Sequence, residues 1–187
     1  ADAEGRLTQR SYCSIEIPRK RLRLKSDAEY EEAFREVFGR AVRSRLRARR
    51  NVGAQLSGGL DSGTVAAFAA RELRARGKPL HTFSYVPLAD FEGNWTPRTR
   101  IADEREYIRA VVEHVGNIVP SYCDFPGQSP YSVIDEWLDV LEMPYKFYAN
   151  SFWTLGIGRL AADRDISVVL TGQRGNWTIS WGPALDY

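Results

Sequence analysis

The sequence of 187 residues has little of several features that mark whole classes of protein. Its two cysteines, Cys13 and Cys123, are far apart, which argues against a disulfide framework and against short-spaced zinc or redox pairs. With only two histidines, His81 and His114, a Ser/His/Asp hydrolase has little support. Apolar runs such as 64–70 are too short for a bilayer and no leader pattern is present, so we expect a soluble, cytoplasmic protein without a membrane partner.

A strong excess of charge of one sign is also missing, because the net charge is only +2. The distribution is uneven, and the first 50 residues carry 14 basic and 8 acidic side chains. The basic tract 19–25 could meet phosphates, but a short tract beside an acidic helix is typical of a solvated face. We therefore expect no nucleic-acid partner, and we predict a basic linker or strand segment over 1–26 followed by one domain over 27–187.

The domain alternates between strand and helix patterns. Strands are predicted at 52–56, 80–86, 117–122 and 166–170. Helices are predicted after Ser26 to near Arg49, from near Ser62 to Gly77, before Gly116, after Ser129 up to Pro144, and after Asn150. Because parallel connections need crossover helices, this alternation predicts an α/β fold, a parallel twisted sheet with helices on both faces.

Two glycine-rich turns follow predicted strands. We name residues 57–62 the first glycine turn and residues 171–175 the second glycine turn. Both follow the carboxyl end of a strand, which is where ligands bind in parallel sheets.

The first glycine turn reads Ser57-Gly58-Gly59-Leu60-Asp61-Ser62. Adjacent glycines let a ligand approach the main chain, and N–H groups, hydroxyls and a helix N-terminus suit an anion. A carboxylate in such a turn repels phosphate unless a hard cation lies between them, and Mg²⁺ binds one or two carboxylates together with phosphate oxygens. The turn therefore indicates a site for magnesium polyphosphate. An ordinary capped strand-to-helix turn explains the serines and one glycine but not the whole set.

This turn is not a Walker motif, since no Gly-Lys-Ser/Thr follows. It resembles the PP-loop of the ATP pyrophosphatase superfamily, whose members cleave ATP between the α and β phosphates. With "IADEREYIRAVVEHVG" and "ISVVLTGQRGN", the chain resembles the synthetase domain of asparagine synthetase, β-lactam synthetase and the lasso peptide cyclases over roughly residues 27–180. The resemblance implies an adenine nucleotide alpha hydrolase-like fold, and a C-terminally incomplete domain because the family's domain usually continues past residue 187.

The second glycine turn refines the resemblance. Asparagine synthetases usually carry Ser-Gly-Glu-Gly-Ser-Asp-Glu here, whereas Gln173 and Asn176, followed by Thr-Ile-Ser-Trp at 178–181, are more similar to the lasso peptide cyclases. Arg174 and Trp177 depart from both patterns. Asn176 stands where the family has an acid, so Asp61 would carry more of the metal binding.

The resemblance implies ATP and Mg²⁺ as cofactors and assigns roles to individual residues. Phosphate and nucleotide contacts fall on Leu56, Ser57, Gly58, Gly59, Leu60, Ser62, Tyr85 and Gly172, catalytic roles on Asp61 and Gln173, and metal binding on Asp61 and Asn176. Leu56, Tyr85 and Gly172 would form the adenosine wall. Asp103 and Glu104 would lie near the same strand ends, although acidic residues are also simply favoured at a helix start.

The implied function is amide synthesis: adenylation of a carboxylate, with loss of pyrophosphate, and attack by an amine. The substrate would be a peptide or small carboxylate, and macrolactam formation in a lasso-type peptide is the reading we favour, with a maturation protease or precursor-recognition protein as partner. Aromatic residues could line a peptide groove or be core: Trp95, Trp137, Tyr145, Phe147, Tyr148, Phe152 and Trp153. The alternatives are asparagine formation, tRNA thiolation and a non-catalytic nucleotide-binding partner.

Overall fold

A computed structural model describes residues 5–14, 21–92, 101–144, 146–175 and 178–180. The chain divides into two compact units, 1–36 and 37–187. The regular elements, in chain order, are α1 Asp27–Arg45, β1 Asn51–Gln55, α2 Leu60–Arg74, β2 Leu80–Tyr85, α3 Arg105–Val115, β3 Ile118–Cys123, α4 Ile134–Leu141, α5 Ser151–Asp163 and β4 Ile166–Leu170. Short 3-10 helices occupy Pro130–Val133 and Tyr148–Asn150. Within the described residues no helix is long and apolar enough to cross a membrane.

The first unit contains the start of α1. The Ser26 hydroxyl accepts a hydrogen bond from the N–H of Glu29 at 3.3 Å, as the capping pattern predicts. The Glu29 carboxylate accepts from the N–H of Lys25 at 2.7 Å. The Tyr30 hydroxyl donates to the carbonyl of Leu22 at 3.3 Å and so ties the preceding segment to this helix start.

The second unit contains one four-stranded sheet in the order β3-β2-β1-β4, and every pairing is parallel. Side chains alternate between its faces. One core cluster joins Ala54 and Leu80 to α2 and α3, and the other joins Phe83 and Ile166 to Ile157 of α5. The predicted α/β fold, with a parallel sheet and helices on both faces, is therefore confirmed.

Several helix boundaries differ from the predicted ones. The first helix ends at Arg45 rather than near Arg49, because residues 46–50 form a turn in which Ala48 N–H donates to the Leu46 carbonyl at 3.1 Å. The second begins at Leu60, earlier than Ser62. The fourth ends at Leu141 rather than at Pro144, since Glu142 adopts a left-handed conformation with φ of 53° that closes the helix.

The strand order determines where a ligand can bind. The chain runs from β1 through β2 to β3 on one side, and β4 then returns to the other side of β1. In open parallel sheets the crevice at such a reversal, beyond the carboxyl ends of the strands, is the usual ligand site. The first glycine turn follows β1 and the second follows β4, so both lie at this reversal.

Candidate functional site

The two glycine turns are in direct contact. A Cβ atom placed on Gly172 would lie 2.6 Å from the backbone nitrogen of Ser62, and one placed on Gly175 would lie 2.1 Å from Cγ of Asp61. Atoms that are not bonded do not approach so closely, so only glycine fits these positions without movement of the first turn. The second turn therefore packs its backbone against the start of α2.

Hydrogen bonds to the hydroxyl groups of its own serines stabilise the first glycine turn. The Ser62 hydroxyl oxygen accepts from the N–H of Ser57 at 3.0 Å and lies 2.8 Å from the Ser57 hydroxyl. The Ser57 hydroxyl in turn accepts from the N–H of Gly59 at 3.2 Å. Ser62 is buried, whereas Ser57 and Gly59 are exposed. The serines thus fix the turn while its outer edge stays open to solvent.

The start of α2 has the properties of an anion-binding helix end. Gly59 is the N-cap residue and makes no side-chain capping hydrogen bond. The first N–H groups of an α-helix have no acceptor within the helix, and the helix dipole gives this end a partial positive charge. A phosphate group in the crevice would meet these N–H groups.

Asp61 lies in the first turn of α2 and is the candidate metal ligand. Its Oδ1 atom is buried and has no hydrogen-bond partner among the described residues. A buried carboxylate oxygen is costly unless it is paired or coordinates a cation. The described part of the chain has no group of three or more histidine, cysteine or acidic side chains that could hold a metal ion. Oxygen atoms of a ligand would therefore have to complete the coordination of a cation at Asp61.

Glu104 is a second acidic residue in the site. Its Oε2 atom accepts a hydrogen bond from the N–H of Gly58 at 3.0 Å. The neighbouring Asp103 instead pairs with Arg105 at 2.6 Å. Of the two acidic residues considered from the sequence, only Glu104 contacts the first glycine turn.

The turns open into a cleft of about 390 Å³. It is lined by Gln55, Leu56, Ser57, Gly59, Asp61, Ser62, Phe83, Tyr85, Glu104, Trp153, Ile157, Thr171, Gly172 and Gln173. The lining combines glycines, hydroxyls and the carboxylates of Asp61 and Glu104 with aromatic and aliphatic side chains. We call the first group the polar side of the cleft and the second group the aromatic side. The cleft can therefore hold a ligand that is both highly charged and partly planar.

The aromatic side of the cleft is ordered by ring stacking. The rings of Tyr85 and Trp153 lie nearly parallel, at 8°, with centroids 5.7 Å apart. Phe152 meets Tyr85 edge-on at 5.5 Å. Partial burial raises the pKa of the Tyr85 hydroxyl above its ordinary value of 10.0, although the residue as a whole remains 45% exposed.

Most of the residues singled out from the sequence lie around this cleft. Of the eleven residues that the sequence analysis assigns to ligand, catalytic or metal contacts, eight line it: Leu56, Ser57, Gly59, Asp61, Ser62, Tyr85, Gly172 and Gln173. Gly58 and Leu60 are not lining residues; the N–H of Gly58 bonds Glu104, and the Leu60 side chain is 75% exposed. Asn176 lies outside the described residues. Their functional roles stay predictions.

Sequence reasoning missed part of the lining. Gln55, Phe83 and Ile157 give no chemical signal, because each is an ordinary strand or helix residue whose position depends on the strand order. Trp153 was singled out only as one of several aromatic residues, and the structure places it in the cleft. Of the other aromatic residues, Trp95 and Tyr145 lie outside the described residues.

Comparison with known proteins gives the family. The family model for asparagine synthase matches residues 33–176, which is well over half of the chain. The chain belongs to the asparagine synthase family. The matched range includes both glycine turns, α3 and the whole sheet.

This asparagine synthase family member is 35% identical, over 136 residues, to "Putative asparagine synthetase (glutamine-hydrolyzing) 2" of Methanocaldococcus jannaschii. That match covers 73% of the chain but only 23% of the relative, so the chain spans about a quarter of the relative's length. A solved NMN synthetase from Francisella tularensis is 14% identical, with a TM-score of 0.45 over 84% of this chain and 59% of that one.

Proposed function

We propose that the chain is the nucleotide-binding part of an ATP-dependent ligase that activates a carboxylate and forms an amide, releasing AMP and pyrophosphate. The observation that carries this proposal is Oδ1 of Asp61, which is buried, has no hydrogen-bond partner among the described residues, and lies beside a helix start and an open cleft. A carboxylate in that position suits a divalent cation bound with phosphate oxygens. Membership of the asparagine synthase family supports the same chemistry.

The proposed ligand contacts follow the two sides of the cleft. Ser57, Gly59 and Ser62 would contact the β and γ phosphates. The remaining residues of the first glycine turn would fix the conformation of the turn. Asp61 would hold Mg²⁺, with Asn176 as the second proposed ligand. The adenosine would lie along Leu56, Tyr85 and Gly172. A bound Mg²⁺ would neutralise negative charge on the polyphosphate.

The proposed reaction has two steps. An oxygen of the substrate carboxylate attacks the α-phosphorus, and the bond from that phosphorus to the pyrophosphate oxygen breaks. An amine nitrogen then bonds to the activated acyl carbon, AMP leaves, and the nitrogen gives up a proton. The first glycine turn would stabilise charge that grows on the pyrophosphate, which is an electrostatic role. Gln173, at the cleft edge, has an amide N–H₂ that could donate to the reacting carbonyl oxygen.

We further propose that the carboxylate belongs to a peptide and that the product is a lasso-type macrolactam. The support is the Gln173 signature with Thr-Ile-Ser-Trp at 178–181, and the aromatic side of the cleft at Trp153. A maturation protease or a precursor-recognition protein would deliver such a peptide. The second candidate is asparagine formation, which the relative in Methanocaldococcus jannaschii favours.

The test is exchange of labelled pyrophosphate into ATP by the purified full chain. Exchange that depends on added carboxylate supports the ligase proposal, whereas ATP binding without exchange under any carboxylate contradicts it. Two carboxylates separate the candidates: a linear peptide with a free amino terminus and an acidic side chain, and free aspartate. Exchange with the peptide alone supports macrolactam formation, and exchange with aspartate alone supports asparagine formation.

A further inference from the structure

Among the described residues, Gly58 is the one member of the first glycine turn whose N–H bonds to an element beyond the turn and α2. Its N–H donates to Oε2 of Glu104, a residue 46 positions further along the chain, at 3.0 Å. A hydrogen bond to an ionised carboxylate is shorter and stronger than a neutral one. The bond therefore joins the most conformationally free part of the turn to the start of α3.

The packing around Gly58, like its hydrogen bond, involves the start of α3. A Cβ atom placed on Gly58 would lie 3.0 Å from Cβ of Tyr107 and 3.1 Å from Cβ of Glu104. The tight contacts that favour glycine at this position are thus contacts with residues at the start of α3. Ser57 and Gly59 line the cleft on either side, while Gly58 does not.

The carboxylate of Glu104 is carried on an anchored helix start. The N–H of Arg105 donates to Oδ1 of Asp103 at 3.0 Å, and its guanidinium donates to the carbonyl of Pro87 at 2.7 Å. One turn later Ile108 is buried, and its N–H bonds the Glu104 carbonyl at 3.0 Å. Both ends of the bond from Glu104 to Gly58 are therefore held by packed structure.

We propose that Glu104 is a positioning residue that holds the first glycine turn in the shape its ligand needs, and that the N–H of Gly58 serves this contact rather than a phosphate. Two adjacent glycines have wide conformational freedom, so a turn that contains them needs an external constraint to present its neighbouring N–H groups in one direction. Glu104 supplies the constraint from α3. The contact joins two groups of the protein itself, so it can be tested apart from the proposed function.

The direct test is amide hydrogen exchange at Gly58, followed by NMR in the nucleotide-free protein. Glu104→Ala should speed exchange at Gly58 by about tenfold or more, because the charged acceptor is lost. Glu104→Gln retains an acceptor oxygen and should restore much of the protection. Glu106→Ala, an exposed residue on the same helix, is the matched control and should leave Gly58 unchanged. Equal exchange in the wild type and Glu104→Ala overturns the proposal.

A second measurement asks whether the contact matters for the ligand. The affinity for Mg-ATP should fall about tenfold or more in Glu104→Ala and recover in Glu104→Gln, while Glu106→Ala binds as the wild type does. Should Glu104→Ala fail to fold, Gly58→Ala is measured instead, since its added methyl group would press on Cβ of Tyr107 at 3.0 Å and on Cβ of Glu104 at 3.1 Å. A loss in Glu104→Gln as large as in Glu104→Ala contradicts a positioning role. A wild type that binds no Mg-ATP counts against the proposed function, and the exchange experiment still decides the role of Glu104.

Discussion

The first glycine turn follows β1 and the second follows β4, and the two strands are neighbours in the sheet. Both turns are short and glycine-rich, yet their glycines pack against different parts of the molecule. In the first turn Gly58 faces α3 and Gly59 is the uncapped start of α2. In the second turn Gly172 and Gly175 face the first turn itself. The first turn presents polar groups to the cleft, and the second sets where those groups lie.

The two glycine turns also differ in the chemical groups that they carry. The first turn carries hydroxyls, a carboxylate and free helix N–H groups, all suited to a phosphate and a cation. The second contributes backbone contact and, at its exposed edge, Gln173. A substitution in the first turn should therefore act on the ligand, and a substitution in the second should act through the position of the first.

The largest expected effect is from Asp61→Ala. We expect exchange of pyrophosphate into ATP to fall about a thousandfold, because the only carboxylate of the first turn is lost and charge on the pyrophosphate is no longer balanced. The thermal midpoint should not fall, since the removed Oδ1 has no hydrogen-bond partner among the described residues.

Asp61→Asn is the matched variant, equal in size but uncharged, and it should lose nearly as much exchange. Full exchange in either variant would show that Asp61 does not act on the ligand.

Gly175→Ala tests the second turn. Its methyl group would meet the Asp61 side chain, with Cγ at 2.1 Å, so we expect Asp61 to be displaced. Exchange should fall by up to about a hundredfold, because misplaced catalytic groups lose much of their effect. The check is the exchange rate measured beside the free energy of unfolding in urea.

Two alanine substitutions sharpen this test. Gly172→Ala would meet backbone of Ser62 at 2.6 Å and should cost about 1–3 kcal/mol of stability, because the backbone must shift. Gly158→Ala, on the exposed side of α5 with nothing within 4 Å, should instead stabilise by about 0.5–1 kcal/mol. Equal effects at Gly172 and Gly158 would mean that the two turns are not in contact.

The smallest expected effect concerns the sheet beneath the turns. His81 on β2 lies opposite Gly53 of β1, and burial, with the Arg164 cation second, lowers the pKa of its imidazole. The unfolded chain takes up a proton at the ordinary pKa of 6.5, so this contribution to stability is complete above that pH and is lost as the pH falls below it.

The free energy of unfolding should therefore decrease between about pH 7.5 and about pH 5.5 and should depend less on pH in His81→Gln. His114→Gln is the control, because His114 is exposed. A slope that changes only in His114→Gln would contradict this account of His81.

Much of the fold follows from local patterns in the sequence. The run 166–170 is predicted and observed as a strand with the same bounds, because it is continuous, apolar and flanked by turns. The cap at Ser129 and Pro130 predict a helix start, and the structure has one there with a reciprocal Ser129–Ser132 capping box, but its first turn is 3-10. Helix ends depend on single residues such as Glu142, which periodicity does not reveal.

Only part of the candidate site can be predicted from short stretches of the sequence. The first glycine turn can be recognised because its whole chemistry lies within six consecutive residues. The contacts of Gly58 with Glu104 and of Gly175 with Asp61 join positions far apart in the chain. They depend on β4 pairing with β1 and on α3 packing against the turn, and no short motif specifies either. The sequence therefore predicts the chemical class of the ligand better than it predicts the contacts that hold the binding site in shape.

The most direct measurement of the central claim, that the first glycine turn binds a magnesium-bound polyphosphate, is an NMR titration with pyrophosphate in the presence of Mg²⁺. We predict that the backbone amides of Ser57, Gly59, Asp61 and Ser62 shift most, that the Gly58 amide stays bonded to Glu104, and that Asp61→Ala abolishes the response. Shifts confined to other parts of the chain, or a response unchanged in Asp61→Ala, would contradict the claim.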